Sequence, residues 1–389
     1  MALNISRLLN HGQNVDRFID NLEVAPHRKE AIQDAAKIIK IHLRQAIPVW
    51  LAHNLEAEAK VIPRFMTQGS FAYNTANEPC HFPLQEVDRD IGIYLPVTHW
   101  EENTRSPKHA AKTYFRMVEE AMRPLSEEKG WTLSRKERCV RVLLNHGSSA
   151  HIDLPLYAAP LKDFETITET VAKSRTASMS IVLDSAFSEQ EWDNLDSIVL
   201  ACENGEWSKS DPREVIRWFR QCRTRLGDER LVRVCRYLKA WRDHHWKTGG
   251  PSSILLMVSA CQTLENIIDL PSRDDLMLKA VCAELPQQLR GNVCERRISN
   301  GENLNRMPEP ERVHASSLAA RLSHTLNMVM DRMNLHEKEQ ANLSLCSAFG
   351  ERLPFLPHEI EQCNQQASII RQQPAKVVPA PQVPKTHAG

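Results

Sequence analysis

The chain has 389 residues, 42% hydrophobic and 25% charged, the balance of a globular protein with one large core or two smaller ones. Lys and Arg together number 49, as do Asp and Glu, so the formal charge is zero and does not mark an extended nucleic-acid-binding surface. No run approaches the roughly 18 apolar residues that span a bilayer.

MALNISRLLNHGQNVDRF at the N-terminus holds no signal-like apolar stretch, and none of the ten cysteines forms a C-x-x-C pair. Reduced thiols, no membrane partner and a cytoplasmic location are the expectation. In chain order, residues 27–46 carry Ile32, Ala35, Ile39 and Leu43 at helical spacing, which predicts a long amphipathic helix. Strand-like runs follow at 91–97, 139–144 and 151–158, with a helix near 107–124 between the first two. The segment 160–210 reads as loops, a strand and a connection. Asp211-Pro212-Arg213-Glu214 then has the form of a helix start, with Asp as N-cap and Pro at the first position. Leu231, Val234, Cys235, Leu238 and Trp241 predict a buried helical stripe, 252–268 predicts another, and helical patterns run to about 350. The Gln- and Pro-rich end, 364–389, reads as a disordered tail. The division expected is a mixed α/β part over 1–205 and a helical lobe over 206–363, with a cleft between them.

Three pieces carry chemistry. Gln68-Gly69-Ser70 offers a flexible backbone and a hydroxyl for phosphate oxygens. Asp88-Arg89-Asp90, read as a strand, places both carboxylates on one face and Arg89 on the other, with Gly92 next on the acidic face to leave room for a nucleotide. Two adjacent carboxylates repel, and a hard divalent cation resolves the conflict. Asp153 interrupts the apolar run His151-Ile152-Asp153-Leu154-Pro155, where an acid needs a partner or a metal.

A Gly-Ser loop, a D-x-D strand and a lone strand aspartate, in that order, form the layout of the polymerase-β-type nucleotidyltransferases. The segments QGSFAYNTANEP, QEVDRDIGIYLPV, HIDLPLYAAP, WSKSDPREVIRWF and VRVCRYLKAWRDHHWKTGGPSS further resemble the bacterial cGAS/DncV-like nucleotidyltransferases, above all their DncV-like branch. The resemblance runs from about residue 60 to 260. It implies an α+β fold with a polymerase-β-like core and mixed sheet, a long N-terminal spine helix and an α-helical C-terminal lobe. It also implies a synthase that joins ATP and GTP into a cyclic dinucleotide, first 3′,3′-cyclic GMP-AMP, as a second messenger of anti-phage defence.

By residue, the resemblance implies that Asp88, Asp90 and Asp153 are catalytic and hold two Mg²⁺ ions, with Mn²⁺ as a substitute. Gln68, Gly69, Ser70, Tyr73, Arg141, Ser210, Asp211, Lys239 and Ser253 match nucleotide-binding positions: Tyr73 against a base, Ser210 and Asp211 reading guanine, Lys239 and Ser253 on the donor triphosphate. Arg223, Arg225, Arg230, Arg233 and Arg236 form a locally basic stretch, of which one or two are candidates for a phosphate channel. The resemblance also implies a downstream effector reached through the product and a ubiquitin-transfer-like accessory protein acting on Gly389, and it implies no obligatory nucleic acid. The alternatives are a synthase of another cyclic di- or trinucleotide, a template-independent RNA or oligoadenylate nucleotidyltransferase, and a non-catalytic nucleotide sensor.

Overall fold

The computed structural model describes residues 2–55, 61–96, 107–144, 150–159, 198–227, 229–299 and 301–363. The tail from 364, with Gly389, and most of the segment 160–210 lie outside the described residues. The expected long helix is α1, Pro26–Leu55, and Ile32, Ala35, Ile39 and Leu43 are all buried on its inner face. Each such Ile or Leu taken fully out of water contributes about 2 kcal/mol before entropy is counted. The stripe packs on α3, Pro107–Lys129, whose buried Tyr114, Phe115, Val118 and Met122 recur at three- and four-residue spacing.

Both helices cover one face of a mixed sheet. Its strands are β1 (Arg64–Gln68), β2 (Val87–Pro96), β3 (Thr132–Arg135), β4 (Cys139–Leu144), β5 (Ala150–Ala159), β6 (Val199–Ala201) and β7 (Trp207–Ser208). The spatial order is β1-β2-β5-β4-β3, with β6 joining the far end of β5 and β7 joining β6. β5 is buried along its whole length, as its near-continuous apolar sequence requires. β2 and β5 are parallel, which demands a crossover, and α3 lies within it. Their register sets Asp88 opposite His151 and Asp90 opposite Asp153.

The second half is helical, beginning with α4 (Pro212–Leu226), α5 (Glu229–His245) and α6 (Ser253–Glu265), then α7 (Asp274–Arg290) and α8 (Glu309–Asn327). The stripe Leu231, Val234, Cys235, Leu238 and Trp241 is wholly buried in the core of this lobe. A short helix over 69–72, α2 (Gly69–Ala72), follows β1 directly. The chain's first residues belong to the helical lobe: Leu3, Ile5, Leu8, Leu9, Phe18 and Ile19 sit in its core, and Asp275 accepts a hydrogen bond from the Ile5 amide at 3.0 Å. All ten cysteines are free thiols, and no helix among the described residues is long and apolar enough to cross a membrane.

Candidate active site

β1 runs straight into α2 through Gly69, whose φ of +63° is left-handed. A Cβ on Gly69 would lie 1.9 Å from Asp90 Oδ2, so the missing side chain is what lets the loop close over that carboxylate. On β2 the pleat separates the residues as the strand reading requires. Arg89 turns from the acids and lies over the Phe71 ring, 5.0 Å from its centroid, where burial pushes its guanidinium pKa down. The space beside Gly92 is not open to a ligand, contrary to expectation. An ideal Cβ there would meet Gln68 Nε2 at 2.0 Å and the Tyr94 ring at 2.8 Å.

Gln68 therefore faces inward. It is buried, donates from Nε2 to the Tyr94 hydroxyl at 2.9 Å, and accepts from the Tyr157 hydroxyl at 3.2 Å. With both ends of its amide used, it braces β1 against β2 and β5 beneath the acids and does not line the cleft.

The acids converge. Asp88, Asp153 and His151 each place one ligand atom within 4.8 Å of the others, a group that Asp90 does not join at that distance. Asp90 is their close neighbour nonetheless: burial first, then the charges of Asp88 and Asp153, push its carboxyl up to about 8. Arg141 grips Asp153 through two bonds of 2.7 and 2.8 Å, which follows from their pairing across β4 and β5. The Asp153 contact pushes the Arg141 guanidinium up, against the opposing effect of burial. His151 Nε2 stands 3.0 Å from Asp88 Oδ1, in ion-pair range, and its Nδ1 meets Glu86 Oε2 at 2.7 Å. Burial alone would lower the His151 pKa; the contact with Asp88 outweighs it and the net shift is upward.

Hard carboxylate oxygens crowded together, with Asp90 held from ionising by burial and by the charges of Asp88 and Asp153, fit a hard divalent cation, with Asp88, Asp90 and Asp153 to hold it.

Asp88 and Asp90 open onto a cleft of about 700 Å³, whereas Asp153, gripped by Arg141, is not among its lining residues. Gly69, Ser70, Tyr73 and Arg141 line it from the sheet side, and Lys239, Arg242 and Ser253 from the helical lobe. The Tyr73 ring meets Phe219 edge-on at 5.9 Å. Lys239 is buried and donates from Nζ to the Thr75 carbonyl at 2.5 Å. Burial, and then the charge of Arg242, lower its ammonium to about 8. Ser253 opens α6 and accepts from Arg242 Nη1 at 3.2 Å, while the N-cap itself is Ser252.

Ser210 and Asp211 are not among the cleft-lining residues. Asp211 caps α4 by accepting from the Arg213 amide at 2.9 Å, and its carboxylate is gripped by the Arg213 guanidinium, with a contact of 2.6 Å from Nη2. Asp211→Ala is expected to cost about 1 kcal/mol, read as an earlier urea midpoint with unchanged slope; an unmoved midpoint would refute the cap.

The basic stretch of α4 and α5 is tied up in structure. Arg223 pairs with Glu229, Arg225 with Glu265, Arg233 with Asp274 and Arg236 with Glu23, and Arg230 donates to the Pro271 carbonyl. None of the five lines the acidic cleft; Arg233 and Arg236 border a smaller cavity behind α2.

Sequence reading gave no role to His151, Glu86 or Arg242. His151 could have been found, because it stands two residues before Asp153 on the same strand and the period-2 rule that paired Asp88 with Asp90 applies equally there.

Residues 63–157 match the family model for "Cyclic GMP-AMP synthase DncV-like, nucleotidyltransferase domain", and residues 228–359 match "Cyclic GMP-AMP synthase, C-terminal domain". The chain is 32% identical over 304 residues to the cyclic GMP-AMP synthase of Escherichia coli strain TW11681, covering 75% of this chain and 68% of that one. It is 31% identical over 306 residues to the enzyme of that name from Vibrio cholerae serotype O1, with coverage of 75% and 68%.

Among solved structures, the fold resembles Vibrio cholerae DncV cyclic AMP-GMP synthase in complex with the linear intermediate 5′ pppA(3′,5′)pG. The TM-score is 0.74 at 24% identity, over 93% of this chain and 99% of that one. For the 3′-deoxy GTP bound form of Escherichia coli DncV the TM-score is 0.71 at 23% identity, over 92% and 99%.

Proposed function

The chain belongs to the DncV-like nucleotidyltransferase family, with that family's α+β core and helical lobe, and on that premise we propose that this nucleotidyltransferase joins ATP and GTP into a cyclic dinucleotide. The product assigned is 3′,3′-cyclic GMP-AMP. The observation that carries the reading is the parallel register of β2 and β5, which sets Asp88 and Asp90, at the floor of a cleft also lined by Lys239 and Arg242, opposite His151 and Asp153. An acidic floor facing a cationic wall suits a triphosphate lying between them.

Asp88, Asp90 and Asp153 would hold Mg²⁺, which supplies Lewis-acid stabilisation of the charge at the reacting phosphate and an acidified hydroxyl. The protein's own residues do the rest. Ser70, Lys239, Arg242 and Ser253 hold the donor triphosphate, and Tyr73 supports a base. The acceptor 3′-hydroxyl attacks the α-phosphorus, its proton passes to Asp153, and pyrophosphate leaves. A second round on the linear dinucleotide closes the ring. Positioning and charge account for the rate.

Full-length protein incubated with ATP, GTP and Mg²⁺, without nucleic acid, is expected to yield a cyclic GMP-AMP with two 3′–5′ linkages by mass analysis and nuclease mapping. Linear oligoadenylate, or no product without RNA, would reject the reading. Under it the product is a diffusible messenger for an effector in anti-phage defence, checked by loss of protection in cells carrying Asp88→Asn.

Lys239 gives a pH signature. Its lowered ammonium is charged below pH 8 and neutral above, so attraction for a triphosphate is present at low pH and lost as pH rises through about 8. Affinity for a non-hydrolysable ATP analogue should fall about tenfold from pH 7.5 to pH 9, as one lost charge per binding event requires. In Lys239→Met the profile should be flat; an equal slope in that variant would place the titration elsewhere.

A further inference from the structure

Among the described residues, a second set of ligating side chains stands apart from the acidic cluster. Cys80, His81 and His244 place one donor atom each within 4.8 Å of one another. Two come from the segment between α2 and β2, and the third from the last turn of α5. All three are partly buried.

Their surroundings resemble the supports of a metal centre. His81 Nε2 donates to the His244 carbonyl oxygen at 3.0 Å, which leaves Nδ1 as the ring's lone-pair nitrogen. Gln85 Oε1 accepts from the amides of both Cys80 and His81, at 3.0 and 3.1 Å. The same Gln85 donates from Nε2 to the carbonyls of Asp243 and Trp246, at 2.9 and 2.7 Å, so the Cys-His pair is fixed against the end of α5. Behind His244 the backbone of Gly350 is pressed close: a Cβ there would lie 2.5 Å from Nδ1.

One sulfur and two imidazoles are the donor set of Zn²⁺ with a fourth position left for water, and softer than Mg²⁺ accepts. We propose that Cys80, His81 and His244 bind a zinc ion that staples the segment leading into β2 to the C-terminal end of α5. Pro79, Leu84 and Gln85 line the nucleotide cleft from that segment, and Trp246 lines it from beyond α5. The staple fixes the corner where the two walls of the cleft meet, and it is independent of which nucleotides the cleft takes.

The test uses full-length protein purified without chelator from zinc-supplemented cells. Plasma mass spectrometry should find about one zinc per chain, falling below about a fifth of that in Cys80→Ser and in His244→Gln. The zinc should persist in Asp88→Asn/Asp153→Asn, which removes the acidic cluster as its source. Co²⁺ added to the metal-stripped protein should give a thiolate-to-cobalt charge-transfer band, absent from Cys80→Ser while the circular dichroism of that variant stays that of the parent. Trace zinc in the parent together with no such band would overturn the proposal, as would a band that survives Cys80→Ser.

Discussion

Asp88→Asn is expected to slow pyrophosphate release from ATP and GTP by about 10³-fold or more, because it removes one anionic ligand from a site whose ion supplies several kcal/mol of transition-state stabilisation. The substitution is nearly isosteric, and the Asp88 side chain is 45% exposed, so the fold has little to lose by it. Asp153→Asn should be as inactive but less stable, since it strips the charge from the two-bond partner of Arg141 inside the sheet. The pair of variants separates chemistry from folding: equal loss of rate, unequal loss of thermal midpoint. An Asp88→Asn enzyme within tenfold of the parent would remove this carboxylate from the reaction.

Gly69→Ala carries the second large effect. Two independent costs meet at this position: a left-handed backbone, worth about 1–2 kcal/mol for a residue with a Cβ, and a collision at 1.9 Å with Asp90 Oδ2. Either the loop opens or Asp90 moves, and a displacement of about 1 Å at a reacting centre costs about 10²-fold in rate. Gly130→Ala is the matched control. Its φ of +66° imposes the same strain, but nothing lies within 4 Å of the new methyl group. Gly130→Ala should lower stability by about 1–2 kcal/mol and leave kcat unchanged, whereas Gly69→Ala should lower both. If the two variants show equal kcat, contact with Gly69 does not set the position of Asp90.

Patterns with a local period were legible in the sequence. The helix expected over 27–46, the strand reading of Asp88 and Asp90, the cap of α4 and the stripe of α5 follow from residue type and spacing, and each is present, although α1 runs on to Leu55. The outward turn of Arg89 follows in the same way, although its stacking on Phe71 does not.

What could not be read are the choices among partners distant in the chain. Gly92 announces free space, but the sequence does not say that Gln68 fills it. Nor does the sequence say that apolar side chains among residues 3–22 complete the core of the helical lobe, more than two hundred positions away. Such pairings are set by the whole fold, and a window of a dozen residues carries no trace of them.

The proposed reaction requires carboxylates from two parallel strands to share divalent ions under a triphosphate. Crystals grown with Mn²⁺ and non-hydrolysable ATP and GTP analogues test it through anomalous scattering. Two manganese peaks about 3.5–4 Å apart, both ligated by Asp88 and Asp90 and one also by Asp153, are the result expected. Manganese bound elsewhere, or a nucleotide seated with Asp90 making no metal contact, would contradict it.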